Sequence, residues 1–235
     1  MNKDEFKSAM AAQGHPVSDE QLARLEAYKD LLLEWNRVMN LTAITEEDQI
    51  WEKHFFDSVT PFLNEEFETL CDVGSGAGFP GVPVQILWPE KKITLVEPLQ
   101  KRCRFLNEVK DQLHLDNLTI VNARAEDYAA DHRESFDAAS ARAVARLALL
   151  LELTAPLVKK GGRVIALKGR SALEELEAAG KAIRELGLKL DRKEEFILDT
   201  DQAERINLYF DKVKNTPARY PRPYAQMKKK PLEGA

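Results

Sequence analysis

Two cysteines, Cys71 and Cys103, are too few for a disulfide framework in 235 residues, so the chain is expected in a reducing compartment, the cytosol. No apolar run approaches the ~18 residues of a membrane span, and the start, Met1-Asn2-Lys3-Asp4-Glu5-Phe6-Lys7, has no apolar signal-peptide core. No membrane partner is expected. The four histidines, His15, His54, His114 and His132, form no H-x-x-x-H, and the cysteines form no C-x-x-C. No metal is expected on that ground. Internal repeats are absent, and no low-complexity linker precedes Asn215.

What is present is ordinary globular composition, 44% hydrophobic and 31% charged, which argues against disorder and fibre classes. The charge is uneven. The chain carries −5 overall, yet Lys212 to Lys230 holds seven basic residues and no acid, leaving about −12 for the rest. An acidic body with a cationic end points to local contact with a polyanion rather than a generally basic, DNA-coating protein.

Residues 1–65 have helical spacing. Ser18 and Gln21 form a capping box, followed by Leu22, Leu25, Tyr28, Leu32, Trp35 and Met39 at intervals of three and four. A second helix is predicted after Thr45, with Ile50, Phe55, Val59 and Phe62 as its apolar side. From Leu70 strands alternate with helices: strands at 70–73, 92–97, 118–122, 136–141 and 163–168, helices at 99–113, 146–158 and 171–186. A closing antiparallel pair is predicted at 189–198 and 205–213. The expected fold is α/β, a doubly wound, mostly parallel sheet of seven strands with a helical N-terminal extension. Residues 1–65, 66–214 and a basic, proline-rich 215–235 are expected to form one compact monomer.

The organising stretch is Cys71-Asp72-Val73-Gly74-Ser75-Gly76-Ala77-Gly78-Phe79-Pro80-Gly81. Strand, glycine turn and helix mark a nucleotide-binding unit. The NAD fingerprint G-x-G-x-x-G fails because Phe79 stands where glycine is required. Asp72 would repel a pyrophosphate but attract the ammonium of S-adenosylmethionine, and Gly74, Gly76 and Gly78 let backbone approach the ligand. Glu97, 23 residues after Gly74, suits both ribose hydroxyls. Ala125 and Glu126 follow the third strand, where they reach an adenine edge.

These residues resemble a family. Asp72 to Gly81, Leu99-Gln-Lys-Arg-Cys-Arg-Phe-Leu106, Arg124-Ala-Glu126, Arg142-Ala-Val-Ala145 and Leu167-Lys-Gly169 are similar to the bacterial small-subunit ribosomal RNA methyltransferase G family, also called glucose-inhibited division protein B. Trp35-Asn36, Asn40-Leu41-Thr42, His54-Phe55-Phe56-Asp57-Ser58, Tyr220-Pro221-Arg222 and Lys229-Lys230-Pro231 extend the resemblance over nearly the whole chain. It implies a class I methyltransferase fold and methyl transfer from S-adenosylmethionine to N7 of one guanine in 16S ribosomal RNA, free or in the small subunit. It also implies that Gly74, Phe79, Ala125, Glu126 and Arg142 contact the cofactor.

Missing chemistry agrees with that target. After the fourth strand there is neither an Asn/Asp-Pro-Pro-aromatic motif for an exocyclic amine nor a Pro-Cys pair for cytosine C5, only Ser140-Ala-Arg142-Ala-Val-Ala145. Guanine N7 carries a free lone pair and no proton, so no general base is assigned. Arg142 is expected to position guanine O6, a phosphate or the cofactor carboxylate. Lys168, Arg170, Arg219, Arg222, Lys228, Lys229 and Lys230 are the expected RNA contacts, with prolines keeping the tail extended. Three other readings stay open on the residues: a small-molecule methyltransferase, a nicotinamide-dependent oxidoreductase, and a non-catalytic RNA-binding factor.

Overall fold

The computed structural model describes residues 1–234. Helices α1 (Lys3–Ala12) and α2 (Asp19–Met39) open the chain. The predicted capping box of α2 is present, with Gln21 N–H donating to Ser18 Oγ at 3.1 Å and Ser18 N–H to Gln21 Oε1 at 2.9 Å. The second predicted helix is composite. A short α3 (Glu47–Gln49) widens into a π-helix over Ile50–Phe56, continues as α4 (Asp57–Val59) and tightens to a 3-10 turn at Thr60–Phe62, where Pro61 removes a donor.

The sheet then begins with β1 (Thr69–Val73), α5 (Gly81–Leu87), β2 (Lys92–Val96), α6 (Gln100–Gln112), β3 (Leu118–Val121), α7 (Ala125–Asp131) and β4 (Phe136–Arg142). Next come α8 (Leu147–Thr154), β5 (Val158–Gly169), α9 (Ala172–Ala178), α10 (Gly180–Glu185), β6 (Leu188–Ile197) and β7 (Glu204–Lys212). Two predicted helices are shorter than their patterns: Pro156 ends the one after Arg146, and Ala179-Gly180 divides the one after Ser171. Strand order is β3-β2-β1-β4-β5-β7-β6, parallel except for β7, which runs antiparallel to both neighbours. The order reverses between β1 and β4, and a crevice opens there at the strands' C-terminal ends.

Two apolar cores flank the sheet. The first joins Phe6, Leu25, Tyr28, Trp51 and Phe55 of the N-terminal helices to Val82, Phe105 and Leu106, so the extension is packed into the body. The second joins α7, α8 and α10 to Tyr220, Met227 and Leu232. The C-terminal segment is therefore not an extended tail. It folds back, forms α11 (Tyr224–Lys229) and buries those three side chains, each worth roughly 2 kcal/mol by transfer from water.

Candidate functional site

The glycine turn after β1 holds all three alternate glycines at positive φ, +68° at Gly74, +61° at Gly76 and +102° at Gly78. Their missing side chains have different reasons. A Cβ on Gly78 would lie 2.6 Å from Val82 Cγ2 and 2.9 Å from Tyr28 Oη, and one on Gly74 would lie 2.7 Å from Val144 Cγ2. At Gly76 nothing comes closer than 4.0 Å. Gly78 thus serves core packing, while Gly76 presents bare backbone to open space.

Beside the turn lies a cleft of about 530 Å³ whose walls include Gly74, Glu97, Leu99, Arg102, Arg124 and Ala143. Glu97 is held rigidly: Oε2 accepts from Gly76 N–H at 2.9 Å and Oε1 from Leu99 N–H at 2.9 Å. Each oxygen keeps a further lone pair, the requirement for holding two vicinal hydroxyls. The cleft continues into an apolar slot of about 210 Å³ between Val73, Val96, Ala125, Glu126, Leu153 and Tyr224. A fixed carboxylate next to bare backbone and an apolar slot fits a ribose with a flat purine beyond it, so these residues suit S-adenosylmethionine.

Asp72 has a different partner from the expected ammonium. Period-two alternation turns it to the face covered by α5, where it is fully buried and accepts from Gly81 N–H at 2.9 Å. Ser140, its register partner on β4, donates to it at 3.5 Å. Burial pushes its carboxyl up to about 7, against the opposing pull of the Gly81 hydrogen bond and the Arg142 charge. Asp72 therefore anchors the start of α5 under the turn.

Arg142 lines a different cavity from Glu97, and Phe79 is buried in the core beside it. A second pocket, about 390 Å³, is lined by residues including Lys53, His54, Asp57, Arg142, Lys168 and Arg205. Arg142 Nη1 donates to Lys53 O at 3.0 Å and to Asp57 Oδ2 at 3.2 Å, and Arg205 Nε donates to the same Oδ2 at 3.0 Å. Arg142 also lies 5.1 Å over the Phe79 ring. The opposite side of that pocket comes from the π-helix, whose wider turn presents Lys53 and His54, and from Asp57, the first residue of α4 directly after it. His54 Nε2 meets Thr42 Oγ1 at 2.8 Å, while its buried Nδ1 has no hydrogen-bond partner. Burial first, and then the Arg142 charge, lower its pKa to about 3, so the ring is neutral.

The two cavities meet at Ala143, which lines both. Its φ of +57° is costly for a residue with a Cβ, by roughly 1–2 kcal/mol, and such strain concentrates at functional sites.

The sequence profile described as rRNA small subunit methyltransferase G matches residues 21–200. This chain belongs to that family. Ribosomal RNA small subunit methyltransferase G of Bacillus subtilis (strain 168) is 45% identical over 239 residues, covering all of both chains. The namesake from Lysinibacillus sphaericus (strain C3-41) is 43% identical, covering 99% of this chain and all of its own. The fold also matches a crystal structure of M. jannaschii TYW2 in complex with AdoMet. The TM-score is 0.54 at 16% identity, over 67% of this chain and 75% of that one. The methyltransferase G family depends on S-adenosylmethionine, and the oxidoreductase, small-molecule and non-catalytic readings are not favoured.

Among the residues expected to bind RNA, this chain engages several internally. Arg222 grips buried Glu152 with Nε–Oε1 at 2.7 Å and Nη2–Oε2 at 2.6 Å, and Lys168 pairs with Glu175 at 2.6 Å on the pocket wall. Arg219 meets Glu185 at 3.2 Å but stays mostly exposed, and Arg170 is 87% exposed. Lys228, Lys229 and Lys230 project from and just beyond α11 with no ion pair among the described residues. Of the 390 Å³ pocket, sequence reading had singled out only Arg142 and Lys168 as site residues. Lys53, Asp57 and Arg205 were missed, although the His54-to-Ser58 run was one signal for the first wall.

Proposed function

We propose that this chain holds S-adenosylmethionine in the cleft beside the glycine turn and methylates N7 of one guanine of 16S ribosomal RNA entering the second pocket. Glu97 would take the ribose, Gly74 and Gly76 would give backbone approach, and Ala125 and Glu126 would border the adenine. Asp72, Gly78 and Phe79 act one step back by fixing the turn. The observation carrying this reading is Ala143: one residue walls both cavities, so a donor group and an acceptor base have a shared boundary.

When bound, the cofactor supplies an electrophilic methyl on a sulfonium. Guanine N7 would take that methyl with its own lone pair, with S-adenosylhomocysteine as the leaving group and no proton to be moved, so no residue of this chain is needed as a base. The protein's task is alignment, a proximity effect. Arg142 and Arg205, both fixed by Asp57, are set to donate to guanine O6 or a flanking phosphate, and not to N7, whose lone pair must stay free. Neutral His54 adds no competing positive charge where the methylated base becomes cationic. Lys228, Lys229 and Lys230 with Arg170 and Arg219 would hold phosphates outside the pocket. We take the chain to act as a monomer in the cytoplasm, where an RNA substrate of this kind is found.

The test incubates the protein with labelled cofactor and unmethylated 16S RNA, as naked RNA and as small-subunit particle, and maps the label. Label confined to N7 of one guanine is expected; label on an exocyclic amine or on carbon would overturn the mechanism.

A further inference from the structure

The C-terminal segment carries one aromatic ring that no fold interaction uses. Tyr224 opens α11 and lines the apolar slot with Val73, Val96, Ala125 and Leu153. It is 36% exposed and makes no hydrogen bond or ring contact among the described residues. Yet the chain around it is firmly held. Two residues before, the Arg222 guanidinium and backbone N–H both bind Glu152, fully buried on α8, and the next residue of α8 is Leu153 of the slot wall. Three residues after, Met227 is fully buried, followed by Leu232.

A ring fixed by buried anchors, but itself unpacked at the mouth of an apolar slot, is arranged to meet something flat. The slot adjoins Glu97 through Gly74, Pro98, Arg124 and Val144, which line both it and the larger cleft. A ligand whose ribose sits on Glu97 therefore directs its base into that slot. Building on the proposed donor cleft, we infer that Tyr224 closes its base end, its ring packing against the adenine of S-adenosylmethionine. The folded C-terminal segment is then part of the cofactor site. Base–aromatic stacking is worth about 1–3 kcal/mol per base, which is about five- to 150-fold in affinity.

Calorimetric titration of the full chain with S-adenosylhomocysteine tests this without turnover. Tyr224→Ala is expected to bind about tenfold more weakly, and Tyr224→Phe, which keeps the ring, to bind as wild type does. Arg222→Lys, which loosens the anchor while keeping charge, is expected to fall between them. Thermal melts of the ligand-free variants separate affinity from folding: Tyr224→Ala is expected to melt as wild type does, and a melting loss in it that accounts for the lost affinity would make the ring structural and overturn the inference. Wild-type affinity in Tyr224→Ala overturns the inference. No binding by wild type would instead overturn the donor-cleft reading on which it rests.

Discussion

His54 lies flat on Phe79, ring centroids 4.3 Å apart and planes within 11° of parallel, so the π-helix and the glycine turn are joined by a stack behind the pocket wall that His54 lines. That stack ties the acceptor wall to the donor turn. The ring is neutral because burial and Arg142 hold its pKa at about 3 instead of 6.5. A depressed histidine pKa contributes stability that is fully present above pH 6.5 and lost as pH falls through about 3. The imidazole NMR signals of His54 are expected to keep their neutral shifts from pH 8 to pH 5; titration near 6.5 would contradict the burial argument.

Asp72 titrates in the opposite sense. Its folded-state pKa of about 7 exceeds the ordinary 3.8, so its stabilising share is full below pH 3.8 and is lost as pH rises through about 7. A denaturation midpoint that declines between pH 6 and 8 is expected, by an amount equivalent to one or more kcal/mol. Asp72→Asn, which keeps an acceptor for Gly81 N–H, is expected to flatten that slope. Asp72→Ala is expected to lose that bond, at about 1–3 kcal/mol, and to weaken cofactor binding through the loosened turn.

Gly76 and Gly78 separate ligand approach from packing. Gly78→Ala forces a Cβ into Val82, Tyr28 and Leu106 at positive φ, and is expected to lower stability by about 2–4 kcal/mol. Gly76→Val meets open space and is expected to keep most of the stability, apart from about 1 kcal/mol of backbone strain. It should nevertheless abolish binding of S-adenosylhomocysteine. Paired thermal melts and calorimetry check both, and equal loss of stability in the two would contradict the assignment.

The basic end divides likewise. Arg222→Ala leaves buried Glu152 unpaired and is expected to cost about 3–5 kcal/mol of stability. Changing Lys228, Lys229 and Lys230 to Gln is expected to leave the melt unchanged. It should weaken 16S RNA binding and reduce the slope of log affinity against log salt by about two. An unaltered slope would make the three lysines bystanders.

Along the chain, local pattern was enough for the seven strands, the glycine turn and the capping box at Ser18, because periodicity and turn chemistry act over a few residues. The spacing from Gly74 to Glu97 likewise fixed the nucleoside end of the donor cleft, since a strand–helix–strand unit has nearly constant length. The tertiary structure alone decided where the other groups went. Asp72 alternates inward beneath α5 and Arg142 turns to Asp57 and the Phe79 ring, because each follows the pleat of its strand. The pocket around Arg142 draws Lys53 from a π-helix, Asp57 from the short α4 that follows it, and Arg205 from an antiparallel strand inserted between β5 and β6. No sequence window spans such positions, and a π-turn has no 3.6-residue signature. The C-terminal prolines suggested an extended RNA arm; burial of Tyr220, Met227 and Leu232, with the Arg222–Glu152 pair, instead folds it back onto the body, where Tyr224 lines the apolar slot.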